Sequence, residues 1–205
     1  MEMGHLFAST ARLLIATIVV VSSFSFLVWV LPGFFYQPHL VEISDARVLS
    51  PLELEGRDVY IAQGCHVCHT QMVRDIETDR LRFGAATRIE DDIYEHPNLW
   101  GSMRIGPDLA NVGLRYSADW QRQHLRDPRS LVPESIMPAY PWLIEQRLNT
   151  DDIEAKMKGL RTLGVPYTDE DIAGAQAQLE GKTKADALVA YLVQLGTDTV
   201  AGGLQ

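Results

Sequence analysis

The first pattern along the chain is an unbroken apolar run. Leu13 to Leu31 (LLIATIVVVSSFSFLVWVL) carries no charge, and after Arg12 the next basic or acidic side chain is His39. At about 1.5 Å per residue this run matches the roughly 30 Å hydrocarbon core of a bilayer, so it predicts one transmembrane helix. Thr17, Ser22, Ser23 and Ser25 are small and polar enough to pack against other membrane helices. A cleaved signal peptide fits less well, because the run is long for such a segment and no A-x-A-like site follows. Pro32-Gly33 follow instead, and Trp29, Phe34, Phe35 and Tyr36 read as an interfacial belt.

Beyond the run the apolar positions take a helical period. Tyr36 to Pro51 has little periodicity and reads as a tether. Leu52 to Gln63 reads as a helix closed by Gly64, with Leu52, Val59, Tyr60 and Ala62 on its buried face. Ala118 to Arg126 is predicted helical, capped by Ser117 and stopped before Pro128. Asp151 to Leu163 follows, capped by Thr150 and closed by Gly164. Asp169 to Glu180 is capped by Thr168 and ended by Gly181. Lys184 to Leu195 has Thr183 as its N-cap and Gly196 at its stop. Its Leu188, Tyr191, Leu192 and Leu195 obey i, i+3, i+4, i+7 spacing. Strand signals are weak. The expectation is therefore an all-α protein: anchor 1–35, tether 36–51 and one domain over 52–205.

Composition narrows the function. The net charge of −9 over 205 residues argues against nucleic acid as a partner. The two cysteines fall in Cys65-His66-Val67-Cys68-His69. C-x-x-C-H is the pattern for covalent attachment of a c-type haem, in which both thiols add to the vinyl groups and the adjacent imidazole reaches the iron. A thioredoxin-like thiol pair needs no following histidine, and a zinc knuckle needs a second Cys/His pair. Both cysteines are then consumed, leaving none for a structural disulfide. Haem c attachment takes place outside the cytoplasm, which puts the N-terminus in the cytoplasm and the haem domain in the periplasm of a bacterial inner membrane.

An iron held by His69 has a second axial position. Met1 and Met3 lie on the wrong side of the membrane, Met72 is too close to His69 in sequence, and Met103 precedes a segment assigned to the histidine side. Met157 falls inside a predicted helix. Met137, in the proline-punctuated Pro133-Glu134-Ser135-Ile136-Met137-Pro138, is the favoured ligand, with His124 as its rival. His/Met ligation closes the iron to exogenous ligands and suits electron transfer. Arg104, Trp120, Arg126, Tyr140 and Trp142 are candidate propionate partners or pocket walls.

Gly106-Pro107-Asp108-Leu109 resembles the G-P-N-L segment of class I cytochromes c. The resemblance implies that the Pro107 carbonyl accepts a hydrogen bond from His69 Nδ1. Gly56 and Tyr60, with Leu188 and Tyr191, are similar to the crossing of the two terminal cytochrome c helices. More specifically, LEGRDVYIAQGCHVCHTQM, HPNLWGSMRIGPDLANVG, RYSADWQRQHLRDPRSLVPESIMPAYPWL and LGVPYTDEDIAGA resemble the membrane-anchored mono-haem subunit of cbb3-type cytochrome c oxidases. That resemblance implies a class I cytochrome c-like domain and partnership with a catalytic haem–copper subunit. It also implies a further cytochrome c subunit and a soluble or membrane-bound c-type donor. A calcium ion near the backbone carbonyls of Gly101 and Ser102 belongs to the same resemblance. The chain departs from the family at Val73-Arg74-Asp75-Ile76-Glu77 and Arg82-Phe83-Gly84-Ala85, where Arg-Pro-Phe-Arg and Tyr-Gly-His-Tyr elements are expected.

Two segments exceed a minimal cytochrome c, Gln71 to Met103 and Leu143 to Lys182. Segments of this length within a compact domain are usually functional. His96 to Ser102 is expected at the interface with the membrane partner, with Trp100 either there or in the core. Two other functions compete: the small cytochrome c subunit of a nitric oxide reductase, and a free-standing membrane-anchored carrier. In each of the three the chain relays electrons, and no catalytic acid, base or nucleophile is expected in it.

Overall fold

A computed structural model describes residues 2–32 and 46–197. The chain divides into two units, 1–43 and 44–205. Helix α1 (Glu2–Ser25) runs on into a π-helical stretch, Phe26–Val30. Within it Ser9–Val30 is a 22-residue apolar span, about 33 Å long at helical rise and thus long enough to cross a membrane. Thr17 Oγ1 donates to the Leu13 carbonyl at 2.9 Å. A hydroxyl on an otherwise apolar surface is satisfied in this way by its own helix. Phe34, Phe35 and Tyr36 of the expected belt, and most of the expected tether, lie outside the described residues.

The second unit is built on two crossing helices, α2 (Pro51–Ala62) and α10 (Lys184–Gln194). Both begin with a reciprocal capping box. Ser50 pairs with Glu53 and Thr183 with Asp186, and Pro51 adds a pre-set φ at the first helical position of α2. The helices touch where Gly56 meets Ala187. A Cβ on Gly56 would stand on the Ala187 carbonyl, so only glycine permits this approach. One turn on, the Tyr60 and Tyr191 rings meet at 5.7 Å and 59°. Leu188, Leu192, Leu125 and Leu143 close the core around them.

Between these helices come α3 (Cys65–Cys68), α4 (Glu77–Phe83), α5 (Ala118–Arg126), α6 (Trp142–Glu145), α7 (Ile153–Thr162), α8 (Asp169–Ala173) and α9 (Ala175–Leu179). Among the described residues there is no strand, and Arg147 and Thr183 form a lone antiparallel bridge. Helices α7 to α9 bury their own apolar cluster against α2. Ile153, Met157, Tyr167, Ile172 and Leu179 pack around Leu54, and Met157 is a core residue.

Three local expectations are corrected. Thr150 caps nothing: α7 starts at Ile153, with Asp152 at the cap and no side-chain cap bond. The helix predicted over 169–180 breaks in two at Gly174, although Thr168 caps its start as expected. Ala62 is exposed and Leu52 only half-buried, whereas Glu53, Glu55 and Arg57 of α2 are buried. These charges are paired across the domain. Arg57 bonds Glu95 at 3.4 Å and the Pro97 carbonyl, Lys156 reaches Glu55 and Asp58 at 2.5 Å each, and Arg47 pairs with Glu53. The extra segments 71–103 and 143–182 are thus docked on α2 by ion pairs that apolar periodicity does not reveal.

The first of these segments is braced by Asp79, whose side chain is 6% exposed. Arg74 holds it through two bonds of 2.9 and 3.0 Å, and Arg104 adds a third at 2.9 Å. Arg74 first, then Arg104, hold the Asp79 carboxyl well below the usual carboxylate range. A depressed carboxyl contributes stability that is complete above its unfolded value of about 3.9 and is lost as pH falls through the folded value. Asp79→Asn should therefore lower the melting temperature at pH 7, with the gap to wild type closing below about pH 4. A gap that persists or widens in acid, followed by circular dichroism, would contradict this bracing. Gly56→Ala should cost on the order of 1–3 kcal/mol in denaturant melts, because backbone rather than a flexible side chain blocks the added carbon.

Candidate functional site

Helix α2 ends at Gln63, and Gly64 turns the chain with φ of 71°. A single turn, α3, then carries Cys65 and Cys68 at i and i+3, so both thiols project to one side of it. Both are free and half-buried. His69 leaves the turn in an extended conformation, and its own N–H still closes on the Cys65 carbonyl at 3.0 Å.

The imidazole of His69 donates from Nδ1 to the Pro107 carbonyl at 2.8 Å. That bond fixes the tautomer and leaves Nε2 free as a ligand atom. Gly106 lies flat against the ring, since a Cβ there would collide with it. Burial holds the His69 ring neutral, lowering its basicity against the opposing pull of the Pro107 carbonyl and Asp108. Burial also pushes the Cys65 thiol up to about 11. A thiol so reluctant to ionise is a poor nucleophile and a poor redox switch. Among the described residues no group of three or more His, Cys, Asp or Glu side chains could hold a metal ion directly. Two thiols on one turn, one imidazole with its outer nitrogen free and a glycine cradle under the ring form a donor set that fits a haem.

Met137 is half-buried in its loop and packs against the core cluster, as Cys65 and Tyr140 also do. Its N–H donates to Ser135 Oγ at 3.2 Å. The loop is tied back at two points. Tyr140 N–H donates to the Leu125 carbonyl at 2.7 Å, and Trp142 Nε1 donates to Gln63 Oε1 at 3.2 Å, beside the cysteine turn. The Tyr140 and Trp142 rings meet edge-on at 5.3 Å.

Trp120 lies in a stacked column on α5. Its ring is 3.8 Å from Tyr116 and 4.6 Å from His124, nearly parallel to both. His124 has its basicity lowered by burial and then by His69, and its Nδ1 is buried without a partner. Arg126 is exposed, with no hydrogen bond or ion pair among the described residues. Arg104, one of the candidate propionate partners or pocket walls, is already engaged within the chain. Its guanidinium is spent on Thr70, Met72, Asp79 and Asp108 and lies 4.8 Å over the Phe83 ring. Gly101, with φ of 72°, packs against the backbone of His69 and Thr70. Trp100 Nε1 donates to Asp92 at 2.7 Å, and its side chain is half-exposed.

The residues that sequence reasoning passed over are Thr70, Asp79 and Asp108. The one available signal was the i, i+4 placement of Arg104 and Asp108 on either side of Gly106-Pro107. No curated protein matches the sequence. A family model described as cytochrome c oxidase, mono-heme subunit/FixO matches residues 5–186. That match takes in the apolar span, the cysteine turn and the first turn of α10, and the chain belongs to the FixO family of mono-haem cytochrome c oxidase subunits.

Proposed function

We propose that this chain carries one haem covalently on Cys65 and Cys68, with His69 and Met137 as axial ligands. It passes single electrons from a c-type donor to the haem–copper subunit of a cbb3-type oxidase. The observation that carries this reading is the His69–Pro107 bond: it presents a neutral imidazole, Nε2 outward, beside two thiols on one turn. When bound, the haem supplies a one-electron iron couple whose potential His/Met ligation raises. The chain's own part is to hold that couple still. Pro107 and Gly106 fix the imidazole plane, and the core around Tyr140 and Leu188 excludes water. The tied loop supplies the Met137 thioether. Trp120, Tyr140 and Trp142 are pocket walls in this reading, and Arg126 is the free cation best suited to a propionate.

The span Ser9–Val30 anchors the subunit, with its N-terminus cytoplasmic and the haem domain periplasmic. The expected partners are the catalytic subunit and a further cytochrome c subunit. The domains of the chain in this reading are the anchor over 1–35, the tether over 36–51 and the cytochrome domain over 52–205. One competing ligand has a specific observation behind it. His124 feels His69 electrostatically and has an unpartnered Nδ1, so bis-histidine ligation is the alternative at the iron.

Two measurements test this. Met137→Ala should abolish the long-wavelength methionine-to-iron charge-transfer band of the ferric protein while haem stays attached on denaturing gels, and His124→Ala should leave the band in place. A wild-type ferric spectrum without this band, with Met137→Ala changing nothing and His124→Ala opening the iron to added ligands, assigns the ligand to His124. Purification in mild detergent should yield the chain with a copper- and b-haem-containing subunit and oxygen uptake. A partner carrying non-haem iron would identify a nitric oxide reductase-like complex instead.

A further inference from the structure

Residues 68–72 and 106–109 are zipped together along their whole length. Gly106 N–H donates to the Cys68 carbonyl at 2.9 Å, His69 Nδ1 to the Pro107 carbonyl, and Leu109 N–H to the Thr70 carbonyl at 2.8 Å. Asp108 sits in the middle with its side chain fully buried. It accepts from Thr70 Oγ1 at 2.5 Å, Met72 N–H at 3.1 Å, Arg104 Nη2 at 3.1 Å and Ala110 N–H at 2.9 Å. Arg104 completes the clamp from the other side. Its Nε donates to Thr70 Oγ1 at 2.8 Å, Nη2 to the Met72 carbonyl at 2.8 Å and Nη1 to Asp79 at 2.9 Å.

Every group that could let Pro107 slide away from His69 is therefore held by Asp108 and Arg104. One carboxylate oxygen takes Thr70, Met72 and Arg104 and the other takes Ala110 N–H, so an amide here would turn its NH2 group on one of these donors, which gives the acidic side chain at this position a physical reason. The two charges are also opposite in sign, partly or wholly out of water, and bonded to Thr70, the residue that follows His69. Charges in such a setting act strongly on a neighbouring redox centre, because little solvent rearranges to screen them.

We propose that Asp108 and Arg104 are a positioning pair that fixes the Pro107 carbonyl on His69 and sets the haem potential through their opposed charges. This rests on the haem reading above. A buried anion favours the ferric state and lowers the potential; a buried cation raises it. The hydrogen bond they protect makes His69 a more basic ligand, which also favours ferric iron.

The test is potentiometric titration of the full-length chain in detergent at pH 8, with electron paramagnetic resonance of the ferric form reporting the histidine orientation. Asp108→Asn should shift the potential positive, by the lost anion and the loosened His69 bond together, and Arg104→Gln should shift it negative, the lost buried cation outweighing the loosened bond, each with altered ferric anisotropy. Arg104→Lys, which keeps the charge, should return the potential most of the way to wild type. Arg161→Gln, in an exposed pair with Asp169 on the far segment, should change nothing. A structural role alone would lower melting temperatures without opposite signs, so shifts of one sign or no shift in haem-loaded variants overturn the proposal. If Arg104→Gln does not fold, Asp108→Asn decides it: a positive shift supports the pair, and a null or negative one overturns it. Wild-type chain without covalent haem would overturn the haem reading itself, and this inference with it.

Discussion

The hydrogen bond from His69 to Pro107 joins residues 38 positions apart, and the rest of the second unit is arranged so that this join is stiff. A minimal turn would bring a carbonyl under the imidazole with a few residues. Here residues 71–103 intervene, and a loop of that length costs little more to close than a short one but is free to wander. The structure removes that freedom with charge. Asp79 gathers Arg74 and Arg104, Asp108 gathers Thr70 and Met72, and Arg57 holds Glu95 and Pro97 from α2. The intervening segment thus behaves as a brace.

Helix α2 is the common base of these ties. Its apolar face builds the crossing with α10 through Gly56 and Tyr60, and its end delivers the cysteine turn. Glu55 and Arg57 are buried as well, because each extra segment brings a counter-charge: Glu95 for Arg57, and Lys156 for Glu55, which it shares with the more exposed Asp58. Pairs of this kind add little net stability compared with apolar packing, yet breaking one partner is costly. They therefore specify where an added segment docks. Burial raises the Glu95 and Glu55 carboxyls while Arg57 and Lys156 pull them back, so the balance depends on those partners staying in place.

What could be read in the sequence follows from how local each signal is. The capping boxes at Thr168 and Thr183 and the helix over 118–126 are set by residues within one or two turns, and all three appear where the pattern puts them. The apolar run predicts a long apolar helix for the same reason. Val59 and Tyr60 of α2 are buried as the pattern puts them, but Glu55 and Arg57 look like solvent-facing charges until partners tens of residues away are placed beside them. Most partners of Arg104, one of the candidates for a propionate or a pocket wall, are equally distant in the sequence pattern. A free cation near a haem motif suggests an anion, and only the folded chain shows Asp79 and Asp108 already there. Gly174 could have been anticipated, since glycine inside a helical pattern weakens it.

The two sides of the site are held by different physics, and this has a consequence for how it tolerates change. The histidine side is locked by a dense polar zip with buried charges at its centre. The methionine side rests on apolar packing and a few outlying ties, at Ser135, Leu125 and Gln63, with Ile136 beside the thioether 75% exposed. Local opening draws first on regions with few buried contacts and exposed backbone. The Met137 loop is therefore the side that gives way under heat or denaturant, while the His69 ring keeps its orientation. For the proposed electron relay that division is favourable: His69 as an iron ligand would be held immobile, and the strain of any change at the centre would be taken up by the flexible Met137 thioether on its loop.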